Sequence, residues 1–354
     1  MDPSTLDPHL YARGRIRAAD HAAAWRGGDA AAMRSWQRRA RRRLARQIGL
    51  PPAPTPASAP VVAERRSLDG YDRAALEFDT RPGMRAFAYL LEPRGDARER
   101  PGVLCLPGHG RGVDSIVGIG EDGGQRALGS PGEYQADFAL QCAAHGYVVL
   151  ALEQVSFGRR RDARAAATGP EASSCARDAA AALMLGETIT GWRVWDAMRA
   201  LDVLAGTRGV DRRRLAVMGI SGGGLTSFWT ACLDTRVRAA VISGYFNTFA
   251  DSVLAVDHCP DNYVPGMLGV MEMPDMAGLV APRALFVESG RLDPIFPLEG
   301  FVAAVDRARS IYAAHARPEA FGWAMFEGDH RFDGEAAFAF LDARMRPPAR
   351  PTDL

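Results

Sequence analysis

Lysine is missing from this 354-residue chain; all 43 of its basic residues are arginine. Without a side-chain amine the chain cannot form a Schiff base, hold pyridoxal phosphate as an aldimine, or supply the lysine of a phosphate-binding P-loop. Cysteine is scarce. The five present (Cys105, Cys142, Cys175, Cys232 and Cys259) are an odd number and form no C-x-x-C pair. Neither a disulfide framework nor a zinc knuckle is expected, and a reducing compartment is the default. No apolar run approaches the roughly 18 residues of a membrane span, so no membrane partner is expected. The first 30 residues have no apolar core of the kind found in export signals, which makes a cytoplasmic protein the expectation. Excess charge is lacking too: 43 basic residues face 42 acidic ones, which argues against a nucleic-acid or anionic-membrane specialist. What is present, 47% hydrophobic and 24% charged residues, is the composition of a globular protein. Its length allows two or three domains, and one large α/β domain plus an extension fits equally well.

No internal repeat is found. Residues 10–48 read as helical, with Tyr11, Ile16, Ala23, Met33, Trp36, Leu44 and Ile48 spaced among polar residues. Seven arginines lie between Arg34 and Arg46; with neutral overall charge they read as the solvated face of a helix docked by its apolar side rather than as a nucleic-acid arm. Residues 51–60 (PPAPTPASAP) can be neither helix nor central strand, and are expected to be a stiff linker. Residues 1–60 are therefore taken as an N-terminal helical extension with a Pro-rich linker, and 61–354 as the main domain.

Past residue 61 short apolar runs alternate with longer helical stretches. The expected strands are 84–91, 102–106, 147–152, 215–219, 239–243, 284–288 and 322–326, mostly continuous rather than alternating, as in strands covered on both faces. Helices are expected at about 132–144, 177–205, 223–233, 297–315 and 334–345. This order specifies an α/β fold with a doubly wound, mostly parallel sheet. Ligands of such sheets bind beyond the carboxyl ends of the strands, which is where chemistry is sought.

After the apolar run 215–219 comes Gly219-Ile220-Ser221-Gly222-Gly223 and then a helical stretch. G-x-S-x-G between strand and helix is the pattern of a nucleophile elbow, whose glycines admit close backbone neighbours. A serine hydroxyl needs a base oriented by an acid. Of the seven histidines only His258, His315 and His330 follow Ser221. His315 lies in a helical stretch and His258 in an irregular segment, whereas His330 follows a strand within Glu327-Gly328-Asp329-His330. His330 is the expected base. Asp293, just after the strand 284–288, is the expected acid; Glu288 is still on its strand and Asp329 adjoins the histidine. The oxyanion donors are expected to be the backbone amides of Gly222 and, from the loop Pro107-Gly108-His109-Gly110-Arg111, of Arg111. His109 is expected to support that loop. Glu153, Tyr245 and Tyr263 are candidates for the substrate side. The glycine-rich segment 112–131 and the aromatic and methionine-containing segment 245–280 are expected to roof the site.

These residues resemble the α/β-hydrolase superfamily, in particular its dienelactone-hydrolase and acetylxylan-esterase-like bacterial branch. The resemblance runs over about residues 80–345 and rests on the H-G-x loop at His109, on Phe157-Gly158-Arg159, on the elbow at Ser221, on Ala281-Pro282-Arg283 and on Phe326-Glu327-Gly328-Asp329-His330. Glu153 stands where relatives often carry aspartate, and residues 1–60 have no counterpart in the resemblance. It implies a serine carboxylic-ester hydrolase acting through an acyl-enzyme on a small-molecule ester, with no metal and no organic cofactor. His258, Cys259 and Asp261 are close in sequence, but in a proline-containing loop they are expected to be structural. Lactone, amide or carbon–carbon cleavage by the same three residues stays open, as does a hydrolase fold kept only for binding. Self-association is left open as well.

Overall fold

In a computed structural model of the chain, residues 6–51, 58–95, 99–128 and 133–345 are described. The apolar runs lie side by side in one sheet because each presents side chains to both faces. In order the elements are α1 (Pro8–Arg17), α2 (Ala30–Gln47), β1 (Val61–Ser67), β2 (Tyr71–Arg81), β3 (Met84–Pro93), β4 (Arg100–Leu106), α3 (Phe138–Ala144), β5 (Val148–Leu152), α4 (Ala163–Thr168), α5 (Cys175–Met184), α6 (Ile189–Gly206), β6 (Val210–Ile220), α7 (Gly222–Leu233), β7 (Val237–Ser243), α8 (Met273–Val280), β8 (Ala284–Gly290), α9 (Leu298–Ala314), β9 (Phe321–Phe326) and α10 (Glu335–Met345). The strand order is β1-β2-β3-β5-β4-β6-β7-β8-β9. β1, β2, β3 and β5 pair antiparallel; from β5 to β9 every pairing is parallel.

Period-two alternation divides the core in two. Leu104, Leu106, Leu150, Leu152, Leu215 and Val217 face a cluster shared with α6, α7, α8 and α9. Their neighbours Val103, Cys105, Val149, Ala151, Ala216 and Met218 face a second cluster with α3 and α10. Helices therefore cover both faces, as a doubly wound sheet requires.

All seven strands expected from sequence are present, with ends shifted by a few residues, but the sheet begins earlier than residue 84. β1 escapes the apolar pattern because all its residues are exposed and it carries Glu64, Arg65 and Arg66, the charged side chains that keep an edge strand from pairing further. The hairpin signals were there to read: Asp69-Gly70 turns β1 into β2 with Gly70 at φ +80°, and Pro82-Gly83 turns β2 into β3 with Gly83 at φ +79°. The stretch 177–205 breaks into α5 and α6 at Gly186, which has φ +74°. Thr188 then caps α6, its hydroxyl accepting from the Gly191 amide at 2.9 Å.

The stretch 10–48 also divides, into α1 and α2, the latter capped by Asp29, whose carboxylate accepts from the Ala32 amide. Met33, Trp36, Ala40 and Leu44 of α2 are buried within the larger core cluster. Gln37 donates to the carbonyls of Gly278 (2.7 Å) and Ala281 (2.6 Å), ending the orphaned acceptors at the C-terminus of α8. Arg41 reaches the carbonyls of Cys232 and Leu279, while Arg34, Arg38, Arg39, Arg42, Arg43 and Arg46 are exposed. The arginine run is the solvated side of a docked helix. Residues 52–57 of the expected linker, and Gly129 and Gly132 of the glycine-rich segment, lie outside the described residues.

Candidate active site

β6 delivers Ser221 at its carboxyl end, and the chain reverses at once into α7. Ser221 has φ +56° and ψ −124°, a conformation that an L-residue holds only when its surroundings impose it. They do so through backbone packing. A Cβ on Gly223 would stand 1.9 Å from the Leu106 carbonyl oxygen, and one on Gly219 would stand 2.4 Å from that of Gly223. The Ser221 amide donates to the Ser243 carbonyl at 3.0 Å, tying the elbow to β7. The Ser221 side chain is left at the start of a helix, where the amide of Gly222 and the helix dipole favour negative charge.

Asp293 and His330 come from the loops after β8 and β9. Asp293 Oδ2 lies 2.7 Å from His330 Nδ1. The other carboxylate oxygen accepts from the amides of Ile295 and Phe296, both at 3.0 Å, so the carboxyl plane is held from behind. The imidazole is flanked by Tyr134 and Phe296, each ring centroid 5.7 Å away and nearly parallel. Its edge lies over Gly244, where a Cβ would be 2.9 Å from His330 Cε1. Nε2 is buried and has no hydrogen-bond partner among the described residues. A ring held on one nitrogen by a carboxylate, with the other free, is arranged to take and return a proton.

The loop after β4 meets the elbow at Gly108 and His109. A Cβ on Gly108 would be 3.2 Å from Ser221 Cβ, and one on Gly222 would be 3.3 Å from His109 Nδ1. Three side chains pin this loop. Gln135 accepts from the Gly108 amide (2.7 Å), Tyr134 donates to the His109 carbonyl (2.6 Å), and Gln154 donates to the Pro107 carbonyl. Gly110, at φ +131°, then turns the chain aside. The Arg111 guanidinium is engaged with Glu133 and the Ile119 carbonyl. Tyr134, Gln135 and Phe296 had no signal in the sequence, since each acts through a partner remote along the chain.

The substrate-side candidates fare differently. Glu153 is fully buried, accepting from the amides of Val113 (3.1 Å) and Arg159 (3.2 Å), with Gly112 and Gly158 packed on its carboxyl group. It staples two loops and presents nothing to a ligand. Tyr245 is 1% exposed, against Phe296 in the core. Tyr263 is 39% exposed but lines a surface groove with Ile16, Leu254 and Leu268, apart from Ser221, Asp293 and His330. Met267, Met271 and Met273 of the expected roof are buried in the core. His258 faces the Ile295 carbonyl at 3.2 Å, and His315 caps α9.

Two buried carboxyls brace the site from below. Burial pushes Glu153 and Glu288 up to about 7, against the amides that hold each of them; Glu288 accepts from Asp333 and Gly334 just beyond His330. A carboxyl whose folded value lies above its unfolded one stabilises the fold at low pH. That contribution is lost as pH rises from the unfolded value toward about 7. Glu288→Gln should therefore gain on the wild type by up to roughly 3 kcal/mol between pH 4 and pH 8. Urea unfolding at the two pH values checks this; a variant-to-wild-type difference independent of pH would refute it.

Residues 29–322 match the model of the Abhydrolase family. Over 246 residues the chain is 26% identical to a protein of Bacillus subtilis (strain 168) named "Putative hydrolase YtaP", covering 67% of this chain and 75% of that one. Its backbone is similar to a crystal structure from Bacteroides fragilis NCTC 9343 described as a "putative acetyl xylan esterase" (TM-score 0.75, 21% identity, 91% of this chain and 82% of that one). A glucuronoyl esterase from Solibacter usitatus is also similar (TM-score 0.68, 15% identity, 90% and 94%). Among the described residues no helix is long and apolar enough to cross a membrane.

Proposed function

For a chain that belongs to the Abhydrolase family, we propose a serine carboxylic-ester hydrolase that works through an acyl-enzyme. The observation that carries the reading is the 2.7 Å contact between Asp293 Oδ2 and His330 Nδ1, in a molecule whose Ser221 is held at φ +56°. Ser221 Oγ attacks the ester carbonyl while His330 Nε2 takes its proton. The tetrahedral oxyanion is held by the Gly222 amide and, in place of Arg111, by the amide of His109, the loop residue that reaches the elbow. His330 returns the proton to the leaving alcohol, the acyl-enzyme forms, and water attacking on the same face regenerates the serine. Asp293 keeps the ring in the tautomer that exposes a basic Nε2.

Esters carried by sugars are the proposed substrate class, supported by structural neighbours named as acetyl xylan and glucuronoyl esterases. An organophosphonate ester tests the nucleophile and a substrate panel tests the class. The expected outcome is one phosphonyl adduct per chain, mapped by mass spectrometry to the Ser221 peptide, with turnover of acetylated sugars or uronate esters. Labelling elsewhere would overturn the triad, and turnover of lactones or amides alone would overturn the ester reading.

A further inference from the structure

Beside the elbow, four metal-ligating side chains from three remote segments converge. His109 comes from the loop after β4 and Cys175 opens α5. Cys259 and Asp261 flank Pro260 in the segment before α8. One donor atom from each lies within 4.8 Å of all the others. His109 Nε2 is 3.5 Å from Asp261 Oδ2, and Cys175 Sγ is 3.7 Å from both. Bonds of about 2.0–2.3 Å at the tetrahedral angle set donor-to-donor edges of roughly 3.3–3.8 Å around zinc, so these three spacings are already those of a coordination tetrahedron.

The surroundings fit a cation as well. Asp261 Oδ1 is occupied by the Asn262 amide (2.7 Å), which leaves Oδ2 turned inward. Arg193, fully buried, donates to Asp261 Oδ2 and, at 3.0 Å, to Cys175 Sγ. A carboxylate oxygen and a thiolate each have lone pairs for both the guanidinium and a metal. Two thiolates and one carboxylate carry three negative charges; a divalent cation and Arg193 carry three positive ones. That buried group is neutral with the metal bound and both cysteines ionised, as it is without metal when both thiols keep their protons beside the Asp261–Arg193 pair, so a divalent ion can replace two protons with no net charge left buried. Cys175 and Asp261 are buried while His109 and Cys259 are partly exposed, which opens a path for entry. His258, adjacent in sequence, stays out, facing the Ile295 carbonyl.

We propose that His109, Cys175, Cys259 and Asp261 bind one divalent cation of the zinc class, with Arg193 as their outer hydrogen-bond donor. Two sulfurs, an imidazole and one carboxylate select zinc or cobalt over magnesium and calcium. The ion would join the loop carrying His109 to α5 and to the 259–261 segment. Its effect on catalysis, by fixing the amide of His109 beside Ser221, rests on the proposed ester hydrolysis, whereas binding itself does not.

The probe is cobalt(II), titrated into the reduced full-length chain and followed by absorption. About one equivalent should bind, with the intense visible bands of a tetrahedral centre and thiolate-to-cobalt charge transfer in the near ultraviolet, both displaced by zinc. Cys175→Ser and Cys259→Ser should each weaken the charge-transfer band, and Cys232→Ser, remote in the core, should leave it intact. Because a variant can fail to fold, alkylation of the wild-type chain gives a second measure. Zinc should slow iodoacetamide labelling of the partly exposed Cys259 by about tenfold or more, mapped by mass spectrometry. Absence of the bands, bands unchanged in Cys259→Ser, or labelling insensitive to zinc would overturn the site. So would a Cys175–Cys259 disulfide in protein isolated with its thiols blocked. Loss of ester hydrolysis in Ser221→Ala with cobalt binding retained separates this proposal from the catalytic one.

Discussion

Ser221→Ala should lower ester turnover by about 10³-fold or more, because the covalent route through the acyl-enzyme disappears while the oxyanion donors and substrate contacts remain. The backbone gives a reason to expect an intact fold. Alanine meets the same positive-φ strain as serine at φ +56°, so the substitution removes an oxygen without changing what the elbow must impose. The clashes that would shift the elbow belong to Gly219 and Gly223, which are untouched. Turnover of the best ester in the panel, measured beside circular dichroism, is the check. Retention of most activity in a folded, pure sample would remove Ser221 from its proposed role.

Asp293→Asn should lower kcat by about 10²–10⁴-fold and change KM little, since the lost contact matters most when the ring becomes charged in the transition state. Both carboxylate oxygens are spoken for. Oδ1 accepts from the amides of Ile295 and Phe296, and Oδ2 meets His330 Nδ1. An asparagine keeps its carbonyl toward the two amides and so turns its NH2 toward the imidazole. Nδ1 must then accept, the proton moves to Nε2, and the ring can no longer take one from Ser221. Asp329→Asn and Glu153→Gln should cost far less in turnover. Asp329 contributes its carbonyl to the Arg331 amide, and Glu153 is fully buried between the loops at Val113 and Arg159. A kcat loss in Asp329→Asn equal to that of Asp293→Asn would move the acid to the histidine's own loop.

The reach of local pattern is visible residue by residue. The elbow could be read because its requirements are local: a strand, a strained serine and glycines two residues to either side lie within a few positions of one another. Asp293 and His330 could be read because a parallel sheet delivers the ends of β8 and β9 to the same edge as Ser221. Chain order then leaves few candidates. Other features are decided where remote segments meet. How the 107–111 loop sits against the elbow depends on Tyr134, Gln135 and Gln154, which hold the Gly108 amide and the carbonyls of His109 and Pro107 from remote segments. Tyr245 and Glu153 look like ligand groups in a list of residues, yet packing turns one into core and the other into a staple.

By itself, then, the sequence determined the mostly parallel sheet, the helices on both faces and the three residues offered for catalysis, since periodicity and loop position are properties of short stretches. Only the tertiary structure decided that α2 shares the main core through Trp36 and Gln37, which rings hold His330, and that His109 and Cys175 stand beside Cys259 and Asp261. Those outcomes depend on distances across the chain, and a spacing of 66 residues between His109 and Cys175 says nothing about a separation of 3.7 Å.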